Sequence, residues 1–179
     1  MIPELEIILR LLIAAILGAA VGFERERHNQ PAGLRTHLIL VVGSALAMTL
    51  SINIAMQFQP DVPNGDPARL AAQVLSGIGF LGAGVIVKDG LTISGLTTAA
   101  SIWASSTIGV LVGVGFYAAA ILLTALSAIS MMWGPRVEDW LPSHPAVAAT
   151  MRFTKDCVPC LDILRRKTRE WGYDIVDGS

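Results

Sequence analysis

Charge is scarce in this sequence, and its scarcity is uneven. Between residues 7 and 133 the ionisable side chains come in a few short clusters, and apolar runs separate them. Charged residues make up 15% of the chain, against roughly 25% in an ordinary soluble domain. The net charge of −1 leaves no basic stripe to neutralise phosphates, which argues against a nucleic-acid partner. Only two cysteines occur, Cys157 and Cys160, so disulfides do not hold the fold together. Aromatics are 6% of residues. No Ser-His-Asp arrangement, acid pair or zinc-spaced histidine cluster is evident, and a serine nucleophile in the apolar runs has no base at obvious depth, so enzymatic function is not expected. What the chain does have is apolar mass, 53% of its residues, with 17 glycines and abundant alanine. That much apolar surface implies lipid as the solvent. A bilayer core offers the backbone no partners, so each crossing must be a closed helix of about 20 residues.

Five spans are predicted, at about residues 5–23, 34–57, 69–88, 95–112 and 115–133. The uncharged part of the first, Leu11 to Phe23, would cover only about 20 Å, so Arg10 is expected near an interface, reaching outward. No basic region or cleavage site marks the N-terminus, so this first run is expected to persist as a helix. Pro60, Asp61, Pro63, Asn64, Gly65, Asp66 and Pro67 predict a loop, and Lys88-Asp89-Gly90 a turn. Residues 95 to 133 carry no charge and would reach about 58 Å as one helix, so two spans meeting near Gly113-Val114-Gly115 fit better. Arg25, Arg27, Arg35, Lys88 and Arg136 flank one side of these spans. The positive-inside rule then puts the N-terminus outside and the C-terminus in the cytosol.

The predicted fold is an all-α polytopic membrane bundle over residues 1–134, followed by a small cytosolic tail over 135–179. Pro135, Pro142 and Pro145 mark the exit from the last span. Alternation at Val147, Ala149, Met151 and Phe153 predicts a strand. Leu161, Leu164, Thr168 and Trp171 share one face of a helix whose other face holds Arg165, Arg166 and Arg169, and Gly172 is placed to end it. Tyr173 to Val176 predicts a second strand. About 35 residues of β-α-β bury little core alone, so the tail is expected to pack on a partner copy or to be part of a longer module. Cys157 and Cys160 form a CxxC, but the fold of a thiol oxidoreductase and two further zinc ligands are not evident around them.

Candidate functional residues fall where polar groups meet the apolar runs. Glu24, Arg25 and Glu26 stand at the end of span one, and Arg35 and Thr36 open span two. Charges at that depth are costly and are paired or functional, although a solvated helix end reads equally well. His37 is expected as an interfacial anchor. On span three, Asp66-Pro67 suits a helix start. Arg69, Gln73 and Gly77 then lie on one face, where Gln73 serves either as interhelical glue or as part of a polar site. On span four, Thr97, Ser101 and Ser105 form a hydroxyl ridge flanked by Thr98 and Trp103. These hydroxyls either bond back to the helix or line an internal cavity together with Gln73. Gly77, Gly79 and Gly82 match G-x-G-x-x-G, but inside an apolar span and without a preceding strand this is no dinucleotide site. Gly77, Gly79, Gly82 and Gly84 are expected in close helix packing, like the pairs Gly18/Gly22 and Gly109/Gly113.

Five stretches, taken in order, resemble the membrane domain of the MgtC/SapB family. They are Gly22-Phe23-Glu24-Arg25-Glu26, Ala32-Gly33-Leu34-Arg35-Thr36-His37, the run from Asp66 to Val74, the run from Gly77 to Gly84, and Gly95-Leu96-Thr97-Thr98-Ala99-Ala100 with Trp103. The tail is similar in outline to part of an ACT-like module. The resemblance implies a regulatory protein of the bacterial inner membrane, tied to adaptation to low magnesium and, in pathogens, to virulence through survival inside phagocytes. It implies action through other membrane proteins, the F-type ATP synthase among them, and a homodimer is expected. No cofactor is expected, magnesium being the one ion weighed. The competing expectation is a transporter or channel for Mg2+ or another cation.

Overall fold

Glycine and proline set where the helices stop, and lipid sets how long they run. The computed structural model describes residues 1–58, 66–89 and 92–140, together with Arg166 and Arg169. It contains α1 (Glu4–Arg27), α2 (Leu34–Phe58), α3 (Ala68–Gly84), β1 (Val87–Asp89), β2 (Thr92–Ser94), α4 (Leu96–Val114) and α5 (Tyr117–Trp140). Four of these helices, over Glu4–Arg27, Leu34–Gln57, Leu96–Val114 and Tyr117–Gly134, are long and apolar enough to cross a membrane. The fold is an all-α membrane bundle.

The α1–α2 turn is tight. Asn29 and Ala32 both take positive φ, 50° and 59°, and the Glu26 carboxylate accepts the Leu34 N–H at 3.1 Å, capping the start of α2. Asp66 Oδ1 does the same for Ala68 at the start of α3, at 2.8 Å. The turn between the fourth and fifth helices is made by Gly115, at φ +99°. Its N–H donates to the carbonyls of Leu111 and Val112, while Phe116 N–H returns to Leu111 O. This is the left-handed exit that glycine adopts without a Cβ penalty.

Two boundaries differ from the sequence expectation. The third helix ends at Gly84, and Val87–Asp89 then pairs antiparallel with Thr92–Ser94, placing Lys88 opposite Ile93. Lys88 and Asp89 thus belong to a strand of a short hairpin. Gly95, at φ +87°, closes this hairpin onto α4; a Cβ there would lie 2.0 Å from Val85 O. At the other end α5 runs through position 135 to Trp140, beyond the expected exit. The chain divides into units Met1–His144 and Pro145–Ser179. The predicted β-α-β tail and the CxxC lie outside the described residues, apart from Arg166 and Arg169, which are helical.

The distribution of residues is inside-out relative to a water-soluble protein. Phe80 (82% exposed), Leu5, Ile16, Ile39, Leu122 and Trp133 face outward. Alanine and β-branched residues build the core: Ala14, Val21, Val41, Ala45, Ile108, Val112 and Ala120. α2 lies against both α1 and α4. α3 rests on α2 and α4, and α5 on α1 and α4.

Candidate functional site

Arg10 and Arg25 are fifteen residues apart on α1, and Thr98 and Gly113 are fifteen apart on α4. The two helices run antiparallel, and this equal spacing lets the arginines join them at both ends, about 22 Å apart. Arg10 donates through Nη1 to Gly113 O and through Nη2 to Glu6 Oε1, each at 2.5 Å. Arg25 donates through Nη2 to Thr98 Oγ1 at 2.6 Å and to Pro31 O at 3.0 Å. Arg10 is thus 7% exposed and turned into the bundle rather than outward to an interface. At the C-terminal end of α4 its cation meets the negative end of the helix dipole, a favourable pairing.

Between the arginines runs a buried polar seam. His37 Nδ1 and Ser105 Oγ share a hydrogen bond of 2.8 Å, and the hydroxyls of Ser44 and Ser106 share one of 3.0 Å. Ser101 bonds back to Thr98 O at 2.8 Å. His37 is 0% exposed, not an interfacial anchor. Gly18 of α1 packs on His37 O, Leu38 and Val41, and Gly22 on Leu34 and His37 Cβ, so His37, in the first turn of α2, lies between the levels of Gly18 and Gly22, about one to two helical turns in from Arg25. The sequence offered no base for the hydroxyl ridge, and the structure supplies one from 68 residues away. Both side chains are sealed from solvent, and among the described residues His37 Nε2 has no hydrogen-bond partner.

Glycine allows the seam to close. A Cβ on Gly109 would lie 2.4 Å from Val41 O, and one on Gly113 2.7 Å from Ala45 O; on Gly22 it would meet Leu34 Cα at 2.6 Å. Gly18, Gly22, Gly109 and Gly113 are therefore points of backbone contact within the chain. Gly82 faces Ala99 at ordinary distance, whereas among the described residues nothing lies within 4 Å of a Cβ at Gly77, Gly79 or Gly84.

The remaining candidates scatter. Thr98, Ser101 and Ser105 are buried, but Thr97 is exposed, as is Trp103 at 51%. Gln73, Arg69 and Asp66 are exposed at α3, whereas Thr98, Ser101 and Ser105 are buried, so the structure does not group Gln73 with the hydroxyls. Glu26 is used as the α2 cap, and Arg35 and Thr36 are exposed. His28 Nδ1 lies 3.0 Å from both the carbonyl oxygen and Oε1 of Glu24. Asp61 lies outside the described residues. No group of three or more His, Cys, Asp or Glu side chains suited to a metal occurs among the described residues. Four residues in or at the ends of the seam, Arg10, His37, Ser44 and Ser106, were not singled out as functional from sequence. The available signal for Arg10 and His37 was an ionisable group inside a predicted span; Ser44 and Ser106 gave none.

The sequence profile of the MgtC family matches residues 11–140, which takes in every helix of the bundle except the first turns of α1. The chain belongs to the MgtC family. Among its relatives, Protein MgtC of Salmonella typhimurium is 45% identical over 119 residues, covering 66% of this chain and 48% of that protein. Protein SapB of Bacillus subtilis is 42% identical over 133 residues, 72% of this chain and 57% of that one. An Escherichia coli protein with the name "Putative magnesium transporter YhiD" is 47% identical over 113 residues, 63% and 53% respectively. The MgtC-family chain thus spans about half the length of the curated relatives it matches. No solved structure matches it.

Proposed function

We propose that this MgtC-family protein is a regulator that works by lateral contact with other membrane proteins, and that it does not carry an ion itself. The observation behind this reading is the outward face of α3. Leu70, Val74, Leu75 and Ile78 are half-buried toward the bundle, while Arg69, Gln73, Ser76, Gly77, Phe80 and Gly84 are exposed. A lipid-facing helix would normally carry the opposite arrangement. A glutamine amide left in hydrocarbon lacks its hydrogen bonds, and small residues let another helix approach its backbone. A second copy is a fitting neighbour, because the Gln73 amide is both donor and acceptor and can pair with itself across a two-fold axis. The family resemblance supplies the rest of the proposal: an inner-membrane setting, adaptation to low magnesium, a part in virulence where the host bacterium is a pathogen, and the F-type ATP synthase among the partners.

The second reading, cation transport, draws on the name of the Escherichia coli relative. Magnesium takes oxygen ligands in octahedral geometry, typically one or two carboxylates with water. Glu4, Glu6, Glu24, Glu26, Asp66 and Asp89 all stand at helix or strand ends, so the acidic side chains placed by the structure offer no mid-depth ligand. Reconstitution decides between the two. Liposomes containing the protein and a magnesium indicator are expected to match protein-free vesicles; uptake abolished by Gln73→Leu or Glu24→Gln would overturn the regulator reading. In native membranes, Ser76→Cys is expected to cross-link to a neighbouring chain, whereas Leu122→Cys on the exposed face of α5 is not.

A further inference from the structure

The two arginines of α1 meet opposite ends of α4, and only one of them is compensated. Arg10 stands at the negative end, beside the Glu6 carboxylate. Arg25 stands at the positive end, in the first turn, where a helix carries about +0.5 of a charge. Arg25 is 3% exposed, and among the described residues no carboxylate lies within ion-pair distance of it. Its two acceptors, Thr98 Oγ1 and Pro31 O, are neutral and both engage Nη2. Its Nε is buried without a partner. The neighbouring Glu24 carboxylate turns toward His28 instead. The last carbonyls of α1 favour a cation at Arg25, yet they give Nε no acceptor and leave the end of α4 unanswered.

That end of α4 carries no side-chain cap. Its N-cap residue Gly95 has no side chain to cap with, and its backbone ladder begins at Ala99 N–H to Gly95 O, 2.9 Å. The N–H groups of Leu96, Thr97 and Thr98 are the orphan donors of a helix start. The exposed Arg27 ends α1, and Arg35 stands in the first turn of α2, across the same short loop; both add to the positive field at this end.

We propose that Arg25, the Thr98 hydroxyl and the uncapped first turn of α4 form a binding site for an oxyanion of the phosphate class. Guanidinium and helix-start N–H donors together suit a tetrahedral group with several free oxygens. The phosphate comes either from the aqueous phase or from the headgroup of an anionic phospholipid. The site is independent of whether the protein regulates or transports.

The test uses the full chain, purified in detergent and in nanodiscs. Inorganic phosphate is titrated by calorimetry, and lipid retention from phosphatidylglycerol discs is compared with phosphatidylcholine discs by native mass spectrometry. The wild type is expected to bind phosphate or to retain phosphatidylglycerol selectively. Displacement of the lipid by inorganic phosphate identifies the free ion as the occupant, and retention against it identifies the headgroup. Arg25→Gln is expected to weaken binding about tenfold or more, while Arg69→Gln, at the start of α3 on the other end of the bundle, leaves it nearly unchanged. Should Arg25→Gln fail to fold, Thr97→Asp separates the cases: a fixed carboxylate in the first turn suits the helix dipole, so the fold persists while anion binding falls. Absence of both phosphate binding and selective lipid retention in the wild type, or binding unaffected by Arg25→Gln and Thr97→Asp, overturns the proposal.

Discussion

At the scale of single residues, the seam separates hydroxyls that hold something from hydroxyls that merely satisfy themselves. Ser105 is the partner of His37 Nδ1 across two helices. Thr49 and Thr124 bond back to Ala45 O and Ala120 O one turn away on their own helices. Ser105→Ala leaves an imidazole buried with neither nitrogen paired, since Nε2 already has no partner. It is expected to lower stability by about 1–3 kcal/mol. Thr124→Val removes a hydroxyl whose carbonyl keeps its helical bond, and is expected to change stability by less than about 1 kcal/mol. Arg10→Met fills comparable space but strips Gly113 O of a charged donor and Glu6 of its ion pair, and should cost about 1.5–3 kcal/mol. Thermal unfolding of the three variants in one detergent ranks them. Equal losses for Ser105→Ala and Thr124→Val would mean that the His37–Ser105 contact holds no more than a back-bond does.

At the scale of elements, two glycines of similar sequence context have opposite surroundings. Gly109 lies where a Cβ would press on Val41 O, Ser44 Cβ and Ala45 N at once, all within 3.1 Å. Two of these atoms are backbone, so α2 and α4 must part. Gly109→Ala is expected to destabilise by about 1–3 kcal/mol or more. Gly77 lies in open space, so Gly77→Ala should leave the isolated chain as stable or up to about 1 kcal/mol more so. If another helix docks on α3, the same substitution weakens that association; analytical ultracentrifugation in detergent reads this separately from unfolding. Sequence alone did not distinguish the two glycines. The spacing of Gly77, Gly79, Gly82 and Gly84 marks a helix face that another backbone can approach, but it does not say whether that backbone is in the same chain. The helices themselves were legible, because bilayer thickness sets their length and Gly115 and Asp66 punctuate them. The hairpin of Val87–Asp89 and Thr92–Ser94 was hidden because strands of three residues are too short for alternation to show. The inward turn of Arg10 and the His37–Ser105 contact were hidden for a different reason: each depends on partners 103 and 68 residues away, and periodicity assigns a face without assigning its neighbour.

At the scale of the whole molecule, the two ends of the bundle differ in charge, and that difference carries a proposal about orientation. The α1–α2 turn, with Arg25, Arg27 and Arg35 around it, shares an end with the start of α4, because Arg25 bonds to both Pro31 and Thr98. α3 leads into the hairpin and so reaches this end by its C-terminus. Its N-terminus, at Asp66, and the α4–α5 turn at Gly115 fall at the other end, where Arg10 and Glu6 neutralise each other. Basic residues are retained on the cytosolic side during insertion, and on that ground we propose that the Arg25 end faces the cytosol. A cysteine at His28 is therefore expected to react with a membrane-impermeant maleimide only after cells are opened, while a cysteine at Ala68, exposed at the start of α3, reacts in intact spheroplasts. Labelling in the reverse pattern would invert the bundle. The Arg25 site would then open away from the cytosol, and any regulatory partner touching that end would have to reach it from outside.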